Sequence, residues 1–76
     1  MVPLLLTIEE NPPTLEAAQA FVGGYVQMIN LEDGSQLLVN EEGLLKELFC
    51  NYPASILAGQ VLVGNAIRLK GTARWS

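Results

Sequence analysis

The 76 residues predict a small α+β domain whose mainly antiparallel sheet has about four strands and a central hairpin, packed against one helix and short helical turns. Three observations carry this. A run of helix formers stops at Gly23-Gly24 and passes at once into an alternating segment. Asp33-Gly34 then separates that segment from a second extended one. A final β-rich stretch, Gln60 to Lys70, closes the chain.

Val2 to Ile8, rich in leucine and ending in Thr7-Ile8, reads as a short strand. Pro3 is tolerated at its start, and Glu9-Glu10-Asn11-Pro12-Pro13 is turn chemistry that ends it. Thr14 offers a hydroxyl cap to a helix over 15–22, with Leu15, Ala18 and Val22 on its inner face and Phe21 at the edge. One of Gly23 and Gly24 takes the left-handed cap conformation.

From Tyr25 the period changes to two. Tyr25, Gln27, Ile29 and Leu31 share one face, and Val26, Met28 and Asn30 share the other. Glu32-Asp33-Gly34-Ser35 turns the chain, and Gln36 to Asn40 returns antiparallel. After the turn Asn40-Glu41-Glu42-Gly43, the leucines of 44–49 have helical spacing for about a turn and a half. A second helical piece, 54–58, lies between Pro53 and Gly59. In the last strand, 60–70, Val61, Val63, Ile67 and Leu69 face one way and Leu62, Ala66, Arg68 and Lys70 the other, with Gly64-Asn65 marking a bulge or a close approach.

Length and composition bound the function. The chain is expected to form one domain over 1–76, and a chain this short buries only about 60–65% of the surface it exposes unfolded. With 50% hydrophobic and 16% charged residues, more apolar material is present than such a monomer easily hides. One cysteine, Cys50, excludes an intrachain disulfide, and with no histidine the ordinary zinc ligand sets cannot be assembled. No cofactor or metal is expected, and a homo-oligomer is. A net charge of −4 argues against general nucleic-acid binding. The apolar start lacks the basic flank of a signal peptide, and no run reaches the roughly 18–20 apolar residues of a membrane span, so a cytoplasmic location without membrane association is expected.

Several residues invite chemistry, each with a plain alternative. Cys50 lacks a histidine base; Lys46, about one helical turn earlier, would lower its pKa only modestly, and a lone cysteine beside Phe49 reads as a small buried hydrophobe. Glu41-Glu42 and Glu32-Asp33 could act as acid and base or hold a hard cation, but carboxylates in turns are ordinarily solvated. If Asn40–Gly43 is functional, it hydrogen-bonds a ligand or a partner's backbone. Gly23-Gly24 and Gly59–Gly64 match no phosphate-loop pattern, and the first follows a helix, at the negative end of its dipole. Arg68, Lys70 and Arg74 form the local basic patch, to which Trp75 adds an aromatic face. It could hold a nucleotide with Tyr25, Tyr52 or Trp75, or simply guard an edge strand.

The segments Val22-Gly23-Gly24-Tyr25-Val26, Leu38 to Lys46, and Ala58-Gly59 before Val61 to Ala66 resemble domain-of-unknown-function family 3846, small proteins of phages, plasmids and bacteria. The resemblance spans about Leu15 to Lys70. It implies no activity; it implies the setting of mobile-element accessory products, many of which inhibit, sequester or adapt host components. Cys50 and Arg74-Trp75-Ser76 match nothing in that pattern.

The expectation is therefore a non-enzymatic accessory protein that oligomerises and binds a host or phage protein. The alternative is a binder that sequesters a nucleotide-like molecule between subunits, lined by Tyr25, Asn40, Asn65 and Arg68. Third is an enzyme working through turn carboxylates. The candidate binding residues are Tyr25, Asn40, Glu41, Asn65, Arg68, Lys70 and Trp75, with no catalytic residue assigned.

Overall fold

Thr14 holds an extended backbone, and its Oγ1 accepts from the Ala17 amide, which starts helix α1 (Leu15–Val22); Gly23, at φ 86°, ends it. A computed structural model describes residues 2–75; Met1 and Ser76, the outer residues of the apolar start and of the C-terminal segment, lie outside them. In chain order the elements are β1 (Leu5–Ile8), α1, β2 (Val26–Asn30), β3 (Gln36–Asn40), α2 (Tyr52–Ala58) and β4 (Ala66–Leu69), then a short 3₁₀ turn over Gly71–Ala73. The fold is α+β.

The four strands form one mixed sheet in the order β1-β4-β3-β2. β2 and β3 make the predicted hairpin, with Met28 opposite Leu38 and Ile29 opposite Leu37. β3 and β4 are antiparallel, and β1 runs parallel to β4. β1 and β2 are thus opposite edges, and α1, which joins them, crosses one whole face of the sheet.

Strand alternation sorts the core into two layers. On the α1 face Ala18, Leu38, Ile67, Leu69 and Ala73 are buried, with Ile8, Phe21, Val26 and Trp75 packed around them. On the α2 face Leu37, Val39, Ala54, Leu62 and Ala66 are buried, flanked by Leu5, Ile29, Leu31 and Ala58. β3 is buried along its whole length because helices lie above and below it. The face expected for α1 holds at Ala18 and Val22, but Leu15, at the first turn, is exposed.

Two expectations are corrected. The helix expected at 44–49 does not form; the chain makes consecutive turns over 41–47 instead: Glu47 sits at φ 54°, and the bonds Lys46 N–Glu42 O, Glu47 N–Leu44 O and Leu48 N–Gly43 O have no common period. The stretch 60–70 is not one strand. Gly64, at φ 80°, breaks it, leaving an isolated bridge between Val63 and Cys50 before β4 begins at Ala66.

Asn51 joins the pieces that the sheet does not. It is 1% exposed. Its Oδ1 accepts from the Ala54 amide and caps α2, while its Nδ2 donates to the carbonyls of Leu4 (3.1 Å) and Gly64 (2.9 Å). One side chain thereby binds the start of β1, the break before β4 and the N-terminus of α2.

Candidate functional site

Recognition requires surface that the fold itself does not use, and the α2 face supplies it. On this face Gln27 lies opposite Val39 and Ile29 opposite Leu37. α2 reaches the sheet through Ala54 and Ala58 and spans only seven residues, about 10 Å of helix, so it leaves the β2 side of the face partly open. Two depressions lie there. One, of about 370 Å³, is lined by residues including Gln27, Val39, Gly43, Leu44, Leu45, Val61 and Leu62. The other, of about 560 Å³, lies between Ile29–Asp33 and Ile56–Gln60. Gln60 borders both, and Gln27 and Ile29 of β2 line one each, so they lie side by side along β2, and together they are called the groove.

The wall of the groove depends on Gly43. A Cβ there would stand 2.7 Å from Val63 Cγ2, so only glycine lets this loop lie against the 60–63 segment. The turn is set by Asn40, whose Oδ1 accepts from the Glu42 amide (2.8 Å) while its backbone carbonyl accepts from Gly43 N. Leu44 and Leu45 are left at the rim, and Leu45 is 83% exposed. Val61, on the facing segment, is 69% exposed.

The helix beside the groove carries no charged residue. In α2 only Ser55 is a conventional polar residue, and its hydroxyl is committed: it donates to the Asn51 carbonyl (2.7 Å) and accepts from the Leu62 amide (2.8 Å). Tyr52 and Ile56, one turn apart on the outer face, are 74% and 81% exposed.

The residues proposed from sequence do not meet in one place. Asn40 is buried, with Nδ2 donating to Val22 O (3.0 Å). Asn65 Nδ2 donates to Phe21 O (3.2 Å), and its Oδ1 accepts from Leu4 N (2.8 Å). Lys46 Nζ reaches Gly23 O (3.2 Å), not Cys50. Three side chains thus serve the last carbonyls of α1, where the helix dipole is negative and favours Lys46. Glu41 is exposed in the turn and borders the groove. Tyr25 is exposed beside a separate shallow cleft with Gln19, Gly24, Glu42 and Lys46.

Arg68 is tied up in a ring. Its Nη2 donates to Asp33 Oδ2 and its Nε to Ser35 Oγ, and that hydroxyl donates to Asp33 Oδ1 (2.6 Å). Hydrogen bonds from the Ser35 hydroxyl and then its amide, assisted by Arg68, lower the Asp33 pKa from 3.8 to about 2. Arg74 Nη1 donates to Gly34 O and its Nε to Gly71 O. Lys70 borders a small depression with Asp33, Gly34, Ser35, Gly71 and Arg74. Trp75 is anchored: Nε1 donates to Pro13 O (3.0 Å), and its backbone exchanges two hydrogen bonds with the Gln36 side chain. The cations gathered at the C-terminal end are largely spent on the hairpin.

Cys50 is half-buried, its Sγ 3.9 Å from Ser55 Oγ. Among the described residues no cluster of three metal-ligating acidic or cysteine side chains occurs, and no helix is long and apolar enough to cross a membrane. The apolar rim formed by Leu45, Ile56 and Val61 was missed from sequence. Its available signal was the absence of any charged residue from Phe49 to Gln60, since a surface helix ordinarily sets charged residues opposite its core face.

Fold and surface together define a small α+β protein with a groove beside an edge strand. The chain belongs to the family described as Domain of unknown function (DUF3846), whose model matches residues 3–74. No curated protein and no solved structure matches it.

Proposed function

We propose that this chain is a non-enzymatic accessory protein, of the kind that phages and plasmids carry, which self-associates and binds a partner protein. The observation that carries this is the outer face of α2: Tyr52 and Ile56 stand exposed on a helix that carries no charged residue. The rim leucines and Val61 extend the apolar surface beyond the helix. The mobile-element setting rests on the family resemblance.

The non-enzymatic reading draws on the residues available. The sequence has no histidine, Glu41 and Glu42 face solvent in a turn, and the Ser55 hydroxyl is spent within the fold. The amides of Asn40 and Asn65, which a nucleotide pocket would need, serve α1 instead.

Sedimentation velocity across a concentration series tests the reading. The wild-type chain is expected to associate at micromolar concentration, and Tyr52→Glu is expected to yield a folded monomer. A wild-type chain that stays monomeric, or a Tyr52→Glu variant that associates like the wild type, overturns self-association through this face.

A further inference from the structure

We propose that the groove along β2 receives an extended segment of the partner protein that carries Lys or Arg at both ends and alternating apolar residues between them. This rests on the partner-binding reading and names the partner's chemistry.

The charge around the groove is of one sign. Glu41 and Glu42 border it where β2 begins, since Asn40 pairs with Val26, and Glu32 borders it just beyond the end of β2. No Lys or Arg borders either depression. Three of the chain's four cations are committed elsewhere: Lys46 to Gly23 O, Arg68 to Asp33, and Arg74 to two backbone carbonyls. A second copy paired antiparallel along this edge would bring its Glu32 against Glu41 and Glu42, whereas a segment with basic ends complements both ends.

The backbone supplies the register. Glu41 N donates to Tyr25 O and Leu31 N to Ser35 O, so the odd-numbered residues of this stretch bond inward to β3. The amides and carbonyls of Val26, Met28 and Asn30 therefore point out along the free edge of the sheet. A strand laid on that edge gains main-chain hydrogen bonds, and every second side chain, about 7 Å apart, falls on the groove side. There Ile29 and Val61 offer apolar contact. β2 has five residues, about 17 Å of strand, which sets the spacing between the two basic ends.

The test uses the full chain, labelled with ¹⁵N, and two capped peptides of about nine residues. They share an alternating Val-Thr core, one with paired lysines at each end and the other with paired glutamates. The lysine-ended peptide is expected to shift the amides of Val26, Met28 and Asn30 and those bordering the groove. Its affinity should exceed that of the glutamate-ended peptide by at least about tenfold. It should fall by a similar factor for a folded Glu32→Lys/Glu41→Lys/Glu42→Lys variant and weaken with added salt.

Equal binding of both peptides, shifts mapped elsewhere, or no shifts at all overturn the inference. Shifts of the β2-edge amides on simple concentration of the protein overturn it too, in favour of a second copy at this edge. Failure here, with self-association still abolished by Tyr52→Glu, removes this inference and leaves the function proposed above standing. Failure of both removes the two together.

Discussion

Asn51→Ala should cost about 3 kcal/mol of folding stability, more than its small size suggests. Loss of the α2 cap, in which Asn51 Oδ1 accepts from Ala54 N, accounts for about 1 kcal/mol. The buried Gly64 carbonyl loses the Nδ2 donor at 2.9 Å, and an unpartnered buried acceptor costs about 1–3 kcal/mol. The Leu4 carbonyl adds less, because it keeps the Ala66 amide at 2.9 Å. A domain of this size is held by only about 0.05–0.15 kcal/mol per residue, so the variant should lie near its folding threshold. Urea unfolding followed through Trp75, the single tryptophan and packed on the α1-face core, reads the change in midpoint. Asn51→Asp separates capping from donation. It keeps the cap acceptor but sets a carboxylate against two carbonyl oxygens, so its folded-state pKa is raised above the unfolded value of about 3.9. Relative to the wild type, its stability should accordingly be highest below about pH 4 and decline as pH rises. A loss under about 1 kcal/mol in Asn51→Ala, or an Asn51→Asp profile parallel to that of the wild type, would refute the joint's importance.

Asp33 should show the opposite sign. With its folded pKa lowered to about 2, its contribution to stability is complete above about pH 4 and is lost as pH falls toward 2. Carboxyl NMR titration should also find that Ser35→Ala raises this pKa, because the Ser35 hydroxyl bond is the largest single cause and the backbone amide alone does not replace it. Gly64→Ala should lower the thermal midpoint more than Gly59→Ala. Both positions have positive φ, which costs a non-glycine residue about 1–2 kcal/mol, but at Gly64 the new Cβ would also meet Leu48 Cδ1 at 2.7 Å, while Gly59 faces open space. Equal midpoints would refute the packing component.

What was legible in the sequence was local. Thr14 before a run of helix formers, Gly23 after it, strict alternation over 25–31 and Asp33-Gly34 each act within a few residues, and each element formed where its signal stood. The stretch 44–49 was misread because leucine spacing is the same for a helix and for side chains distributed over a folded loop. What bends this loop is Gly43 pressed on Val63, twenty residues away. The parallel pairing of β1 with β4 has no local signature, since it joins Leu5 to Ala66. The candidate site was legible in its acidic edge at Glu41, whereas the apolar rim required knowing which side of α2 the sheet covers.

The residues that looked most like a binding site explain why the groove is the better candidate. Asn40, Asn65 and Lys46 attend to Val22, Phe21 and Gly23 at the end of α1, and Asn51 and Ser55 attend to the start of α2. A short chain with two small helices has many terminal carbonyls and amides to satisfy and few polar side chains to do it. Those side chains are drawn inward by the cost of leaving buried backbone groups unpaired, and no described buried side-chain N or O atom lacks a partner. Arg68 and Arg74 are likewise consumed in fastening the hairpin turn. What remains to meet another molecule is the complement of that requirement: apolar side chains the core could not enclose, carboxylates on the turns, and the unpaired backbone edge of β2. Such a surface is suited to recognising another polypeptide through its main chain and its apolar side chains, with charge setting which segment is admitted.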